Sequence, residues 1–429
     1  MCREVWSAAA RARPPTIAGN RVAPNRKDPV ALLRSARFPA IILLAAAVAA
    51  LIVANSPLGA SADAIKDTYL GIPGVFEMSV GHWIQDGLLA IFFFVVAIEL
   101  QFELTAGELN SARKALQPAI AAAGGVLIPI AIYVAFAAGS DASRGWPIPT
   151  ATDIAFALGV LAVFGKGLPS GIRIFLLALA ILDDIVGILF IAVLFTTDVN
   201  FALLGISAVL VVIFGLLSRR LDTRARVPIA VILVVLGIAT WVLVYLSGVH
   251  ATIAGVALGL AFAQSPALRT RHALEPWVNG LVLPLFAFSA ALVVIPMVSP
   301  AQLSPAFWGT LVALPVGKMI GISLFSWISL RLANRGATPH LSFADLLAAG
   351  ALGGIGFTVS LLLSELAFAG DPLVRDEATL GVLAGSGVSL VIAAVLVSLR
   401  ARHFRRLAHV ESDDVEVPPT STPTGGQLA

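Results

Sequence analysis

The chain has 429 residues, 58% hydrophobic and only 12% charged, with a formal charge of +3 and a mean hydropathy of +0.94. A soluble domain carries about 25% charged residues, so this chain has too little charge to cover a water-facing surface. Its single cysteine, Cys2, excludes an intrachain disulfide.

Apolar stretches of roughly 17–25 residues, the length a bilayer asks of a helix, recur along most of the sequence. Lipid offers backbone groups no partner outside a helix or a closed barrel. A barrel would read as short alternating segments, whereas these runs are continuous. The expected fold class is an all-α polytopic membrane protein.

Residues 1–37 come first and are rich in Arg and Pro. No cleavable apolar core precedes Phe38, so a disordered basic cytoplasmic tail is expected rather than a targeting segment. Twelve spans are predicted at about 38–55, 84–101, 117–139, 152–165, 172–195, 201–217, 227–247, 250–264, 277–296, 307–330, 343–368 and 377–399, with Pro, Gly and charge clusters at the turns. The fourth and eighth are short. The outer loop 56–83 is the longest inside the folded part, and its "TYLGIPGVFEMSV" predicts a small extramembrane element, a candidate contact between subunits. The transmembrane domain is expected over 38–406, and 407–429, polar and Pro-rich, reads as a second disordered cytoplasmic tail.

Twelve spans put both termini on one side. If that side is cytoplasmic, 24 of the 28 Lys and Arg fall on it, including Arg219, Arg220, Arg224 and Arg226 between spans six and seven. Only Lys66, Arg144 and Arg375 lie on the opposite face, and Lys318 lies within the membrane. This bias is the positive-inside signal, and it accounts for the basic patches without a nucleic-acid partner.

Charges that stay inside the membrane carry the chemistry. A mid-helix Asp or Lys costs roughly 2.5–3.5 kcal/mol on insertion scales, so it stays where it is paired or lines an aqueous cavity. In chain order, Asp86 lies near the outer end of span two. Glu99 and Glu103 share one helix face at its inner end. Ordinary interfacial charge and an ion funnel are both open to these three. "PIPTATDIAFALGV" places Thr152 and Asp153 just after Pro147 and Pro149, with a helix cap as the plainer role for Thr152. "LALAILDDIVGILFIAVLF" holds Asp183 and Asp184 near its middle. His250 opens span eight, where a structural hydrogen bond and proton sensing are both open to it. Lys318, in "LVALPVGKMIGISLFSW", is the only basic residue expected deep in the membrane.

Adjacent residues on a helix point about 100° apart. One of Asp183 and Asp184 can therefore meet Lys318 while the other faces a cavity. A purely structural ion triad leaves the second carboxylate as an uncompensated cost. Hard cations take oxygen ligands, by analogy with calcium and magnesium sites. Burial and mutual repulsion favour the protonated form of carboxylates in general, so sodium or lithium would compete with protons for the same oxygens. Spans four and eleven both read as broken, the second through Gly350, Gly353, Gly354 and Gly356. Such breaks in two halves point to a mid-membrane site. No βαβ context surrounds the glycine string, which excludes a dinucleotide loop. Close packing through small residues is the plainer alternative for this string, and applies also to Gly255 and Gly259.

Five ordered stretches, "TATDIAFALGVL", "LALAILDDIVGIL", "SGVHATIAGVALG", "VGKMIGISLFSW" and "GGIGFTVSLLLSELAF", resemble the NhaA family of sodium/proton antiporters, over roughly Phe38 to Arg406. That family is itself among the known cases of inverted repeats with broken helices, so the two readings are not independent. The resemblance implies inverted repeats in spans three to five and ten to twelve, with spans four and eleven crossing near the midplane. It implies that Asp184 is the principal sodium or lithium ligand and Asp183 the second carboxylate, able to pair with Lys318. Asp153 and Thr152 would line the site and balance charge. It further implies electrogenic export of sodium against a larger number of protons, pH and sodium homeostasis, residence in the cell inner membrane, and a homodimer. Transported ions are implied, with no cofactor and no organic substrate. Where the family has two basic residues between the paired glutamates of span two, this chain has Gln101 and Phe102, which alters the charge balance where alkaline activation would sit, together with His250.

Three other classes fit less well; the third, a passive channel, would carry current without proton coupling. Intramembrane aspartyl proteases carry Gly-x-Gly-Asp, whereas Asp183 follows Leu182 and Asp153 follows Thr152. A sodium symporter needs organic-substrate contacts, and no polar cluster accompanies the charged set.

Overall fold

Apart from one hairpin, the computed structural model is built of helices, and it describes residues 37–72, 76–107, 109–196, 198–221, 226–332 and 341–413. The tails expected at 1–37 and 407–429 lie outside these residues, except for Arg37 and the stretch 407–413.

Helix α1 (Phe38–Ala54) carries Pro39 in its first turn, where no backbone N–H is needed. Asn55 stops it. Its amide donates to the carbonyls of Leu51 and Val293, and its oxygen accepts from Ile295 N, tying the helix end to a distant extended segment. The chain then turns by 113° into α2 (Gly59–Lys66). An antiparallel hairpin follows, β1 (Tyr69–Ile72) with β2 (Phe76–Ser79), pairing Tyr69 with Ser79 and Ile72 with Phe76. The stretch "TYLGIPGVFEMSV", expected to form a small element of its own, contains both strands of this hairpin.

Helix α3 (Val80–Thr105) widens into a π-type turn over Trp83–Leu88. Helices α4 (Ala112–Ala137), α6 (Ser170–Leu194), α7 (Phe201–Ser218) and α8 (Arg226–Leu246) are continuous. Between α4 and α6 the chain forms two short 3₁₀ turns, Asp141–Gly145 and Ile148–Thr150, then bends by 46° into α5 (Ile154–Phe164). After α8 come α9 (Thr252–Ala261), α10 (Gln264–Ala290) and α11 (Pro305–Arg331). Pro315 lies in a π-type turn of α11, Ala313–Gly317. A proline lacks the N–H of the normal ladder and crowds the preceding turn, which such widening relieves. The second break separates α12 (Phe343–Gly353) from α13 (Phe357–Ala367), with a bend of 48°. Helix α14 (Pro372–Asp413) closes the described chain.

Eight of these helices are each long and apolar enough to cross a membrane, three bent pairs reach that length together, and α9 is shorter. They fall in the twelve predicted places. Two ends differ most from the expectation. Helix α10 begins at Gln264, the expected end of the eighth span, and runs through the expected loop 265–276, because "QSPALRTRHALEPW" is polar yet forms helix. Helix α14 runs past Arg406 to Asp413 on similar charged, helix-compatible sequence.

Glycine sets the closest helix contacts. Gly124 of α4 and Gly321 of α11 face each other so closely that a Cβ on either would meet the other's backbone carbonyl. A Cβ at Gly259 of α9 would lie 2.6 Å from the Phe94 carbonyl and 2.7 Å from Cβ of Ala97 on α3. These are small-residue contacts of the kind that let membrane helices approach. Helices α7 and α8 sit to one side, with Val209, Val212, Leu216, Val231, Val234 and Val235 exposed. Such an apolar exterior suits lipid, not water. The two broken helices cross in the interior, packed against α4, α6, α11 and α14.

Candidate functional site

The site begins where two breaks meet. Residues 151–153 interrupt one helix and 354–356 the other, which leaves backbone groups at both without intrahelical partners. They satisfy one another. Asp153 N donates to the Ile355 carbonyl at 2.6 Å, and Thr152 Oγ1 lies 2.8 Å from the Gly353 carbonyl at the end of α12.

Asp153 caps α5. Its Oδ1 accepts from Phe156 N at 3.0 Å, while Oδ2 accepts from Thr358 N and Oγ1 at 3.2 and 2.7 Å. Thr358 lies in the first turn of α13, so one buried carboxylate faces the N-termini of both half-helices. Their partial positive charges favour an anion there. The cap of α5 is thus Asp153, and Thr152 turns its hydroxyl elsewhere.

The middle of α6 brings Asp183 and Asp184 against this crossing. Lys318 Nζ donates to Asp183 Oδ2 at 2.6 Å and to Thr152 Oγ1 at 3.1 Å, and Lys318 is 0% exposed. Its stem passes Gly125 of α4, where a Cβ would lie 3.7 Å from Lys318 Cδ. It follows directly on the π-type turn of α11. Thr152 Oγ1 is 2.7 Å from Asp183 Oδ2 as well as 2.8 Å from the Gly353 carbonyl. One hydroxyl hydrogen serves one acceptor at a time.

The two carboxylates differ. Asp183 is 1% exposed, and its Oδ1 is buried with no hydrogen-bond partner among the described residues. Asp184 is 7% exposed and receives no hydrogen bond among the described residues. Asp183, Asp153, Glu99 and Lys318 act on it electrostatically. An orphaned carboxylate oxygen therefore sits one residue from a second carboxylate without a donor. A buried acceptor in that condition is costly unless a proton or cation joins it. Among the described residues no three acidic, His or Cys side chains converge as a metal cage. An ion held by this pair would take further ligands from backbone oxygen or water.

The remaining candidates stand apart from this core. Glu99 Oε1 pairs with Arg271 of α10 at 2.7 Å. Glu103 is buried one turn further on. Gln101 Nε2 donates to the carbonyls of Leu260 and Phe262 at 2.6 and 2.9 Å, closing the end of α9. Asp86 lies buried in the π-type turn of α3, with Oδ1 3.7 Å from His250 Nδ1. These two form a separate outer pair.

Sequence reasoning missed Thr358, Arg271 and the Gly353 carbonyl. Thr358 had a signal, since a hydroxyl two residues after a helix-breaking glycine marks a helix start. Arg271 reads from sequence only as a topology charge.

The sequence matches the family model described as Na+/H+ antiporter 1 over residues 30–397. A relative from Clavibacter michiganensis subsp. michiganensis (strain NCPPB 382), named Na(+)/H(+) antiporter NhaA 2, is 53% identical over 391 residues, 89% of this chain and 95% of its own length. One from Tropheryma whipplei (strain Twist), named Na(+)/H(+) antiporter NhaA, is 45% identical over 86% of this chain and 95% of its own. Another of that name, from Streptomyces antibioticus, is 41% identical over 93% of this chain and 85% of its own.

Proposed function

The chain belongs to the Na+/H+ antiporter 1 family, and from that premise we propose that it is a secondary transporter, not an enzyme, that exports sodium or lithium in exchange for protons. The observation that carries this reading is the asymmetric doublet. Asp183 is held through one oxygen by Lys318 and Thr152, while its other oxygen and the whole Asp184 carboxylate lack donors among the described residues.

Asp184 is the principal cation ligand and Asp183 the second. A cation needs their oxygens charged, and a proton neutralises them, so the two occupy the doublet in turn. Lys318 offsets the charge of Asp183 when no cation is bound and yields when one arrives. Asp153 and Thr152 hold the crossing that both carboxylates face, Asp153 by fixing the two helix N-termini. A monovalent cation leaving against more than one proton makes the exchange electrogenic. Glu99 and Glu103 form the inner approach, and Asp86 with His250 form the outer pair that takes part in the response to pH. No cofactor and no organic substrate enter this scheme.

The transporting unit spans 38–406 in the cell inner membrane, with both termini cytoplasmic as the Lys and Arg distribution favours. It works as a homodimer in pH and sodium homeostasis. The exposed apolar side chains of the hairpin, Tyr69, Leu70 and Ile72, support the subunit contact.

Everted membrane vesicles test the exchange. With an acid-inside gradient established, added sodium or lithium collapses it and potassium does not. Asp184→Asn abolishes the response, and exchange retained in that variant rejects the assignment.

A further inference from the structure

Ion exchange makes no use of a groove on the flank of α5. Ile41 and Leu44 of α1, Val160, Val163 and Phe164 of α5 and Leu390 of α14 line an open groove together with Arg37. Apart from Arg37, every residue lining it is apolar.

Its cationic residue is held in place. Arg37 Nε and Nη2 donate to the Ala162 carbonyl in the last turn of α5, at 3.0 and 2.6 Å. This takes two of the five donors of a guanidinium. Exposed Lys166 follows in the turn between α5 and α6. Its neighbour Gly167 has φ +96°, a conformation that favours glycine. A Cβ on Gly167 would lie 2.7 Å from Arg405 Cγ, so the Arg405 stem from α14 packs over the same turn. Arg37 thus lines an apolar trough, and Lys166 and Arg405 meet at the turn that follows the α5 residues lining it.

We propose that this groove binds an anionic glycerophospholipid, one acyl chain lying against α1, α5 and α14 and the phosphate at Arg37, Lys166 and Arg405. Guanidinium groups match phosphate oxygens in geometry as well as charge. The other occupant within reach is the segment 1–36 directly before Arg37. It carries Arg3, Arg11, Arg13, Arg21, Arg26, Lys27 and Arg34 against only Glu4 and Asp28. Like charge opposes its docking at a cationic mouth, and opposite charge favours a lipid phosphate. Because α5 starts at Asp153, the lipid sits along a helix that carries the ion site. Its binding does not depend on the transport reading, and binding and transport are measured separately.

The test uses the full-length protein, purified, stripped of lipid and titrated with dioleoyl phosphatidylglycerol or dioleoyl phosphatidylcholine under native mass spectrometry. Phosphatidylglycerol is expected to give a retained one-to-one adduct and phosphatidylcholine none at the same concentration. Lys166→Glu and Arg405→Glu should each weaken phosphatidylglycerol binding about tenfold. Val163→Trp, which fills the groove and leaves the charges in place, should weaken it as much. A diazirine-tagged phosphatidylglycerol should label peptides of α1 or α5. Equal retention of both lipids, unchanged affinity in all three variants, or labelling confined to other helices would each overturn the proposal. So would phosphatidylglycerol binding that arises only after deletion of 1–36, since the tail would then be the occupant.

Discussion

Lys318 is wholly enclosed, and its ammonium meets two oxygens, one on Asp183 and one on Thr152. Removing one partner of a buried pair typically costs about 3–5 kcal/mol, because the charge left behind has nothing to offset it. Lys318→Ala should therefore melt at a clearly lower temperature in detergent. A buried carboxyl without a cation is less costly neutral than charged, so the deficit should shrink in acid and grow as pH rises. Identical melting of variant and parent across that range would remove the pair from the energetics of the fold. At this scale the sequence was informative about direction and silent about partners. Adjacent carboxylates on a helix had to diverge, and only one lysine lay deep enough to meet either. That Lys318 meets Asp183 follows from the rotation of α6 against α4 and α12, a product of packing that no local pattern encodes. The double capping by Asp153 joins residues 205 apart in sequence and was equally out of reach.

Two broken helices become one structure by exchanging the hydrogen bonds that their breaks release. Prolines at 147 and 149 and glycines at 353, 354 and 356 made both interruptions legible, since each residue type disfavours a continuous ladder. Their mutual register was not legible, because it depends on α4 and α11 approaching until Gly124 and Gly321 touch. A side chain at either position has to displace a backbone carbonyl, which cannot move as a side chain can. Gly321→Val should cost at least the roughly 1–3 kcal/mol of an overpacked core site. The expected readout is loss of a monodisperse peak on size-exclusion chromatography and a lower melting temperature. Gly387→Val, at a position where an added Cβ would meet nothing within 4 Å, should be tolerated. Equal behaviour of the two variants would mean that the contact does not set the approach. The start of α10 at Gln264 escaped hydropathy for a different reason. Hydropathy reads burial in lipid, and this polar turn of helix is held by Arg271 reaching Glu99.

For the molecule as a whole, the hydropathy patterns were the strongest signals. They placed twelve segments, and the structure puts helices or bent helix pairs at all twelve. What the molecule does with them rests on one competition. If sodium and a proton exclude each other at the doublet, apparent sodium affinity measured by titration calorimetry should weaken about tenfold for each unit of pH lost, for one competing proton. An affinity flat across the range in which transport changes would sink the exchange scheme. The hydroxyl of Thr152 adds a consequence of its own. With a single hydrogen shared between Asp183 and the last carbonyl of α12, it behaves as a two-position toggle. A group that took over Asp183 Oδ2 would leave that hydrogen to Gly353, and the electrical state of one helix would then reach the tip of another through a single rotating bond.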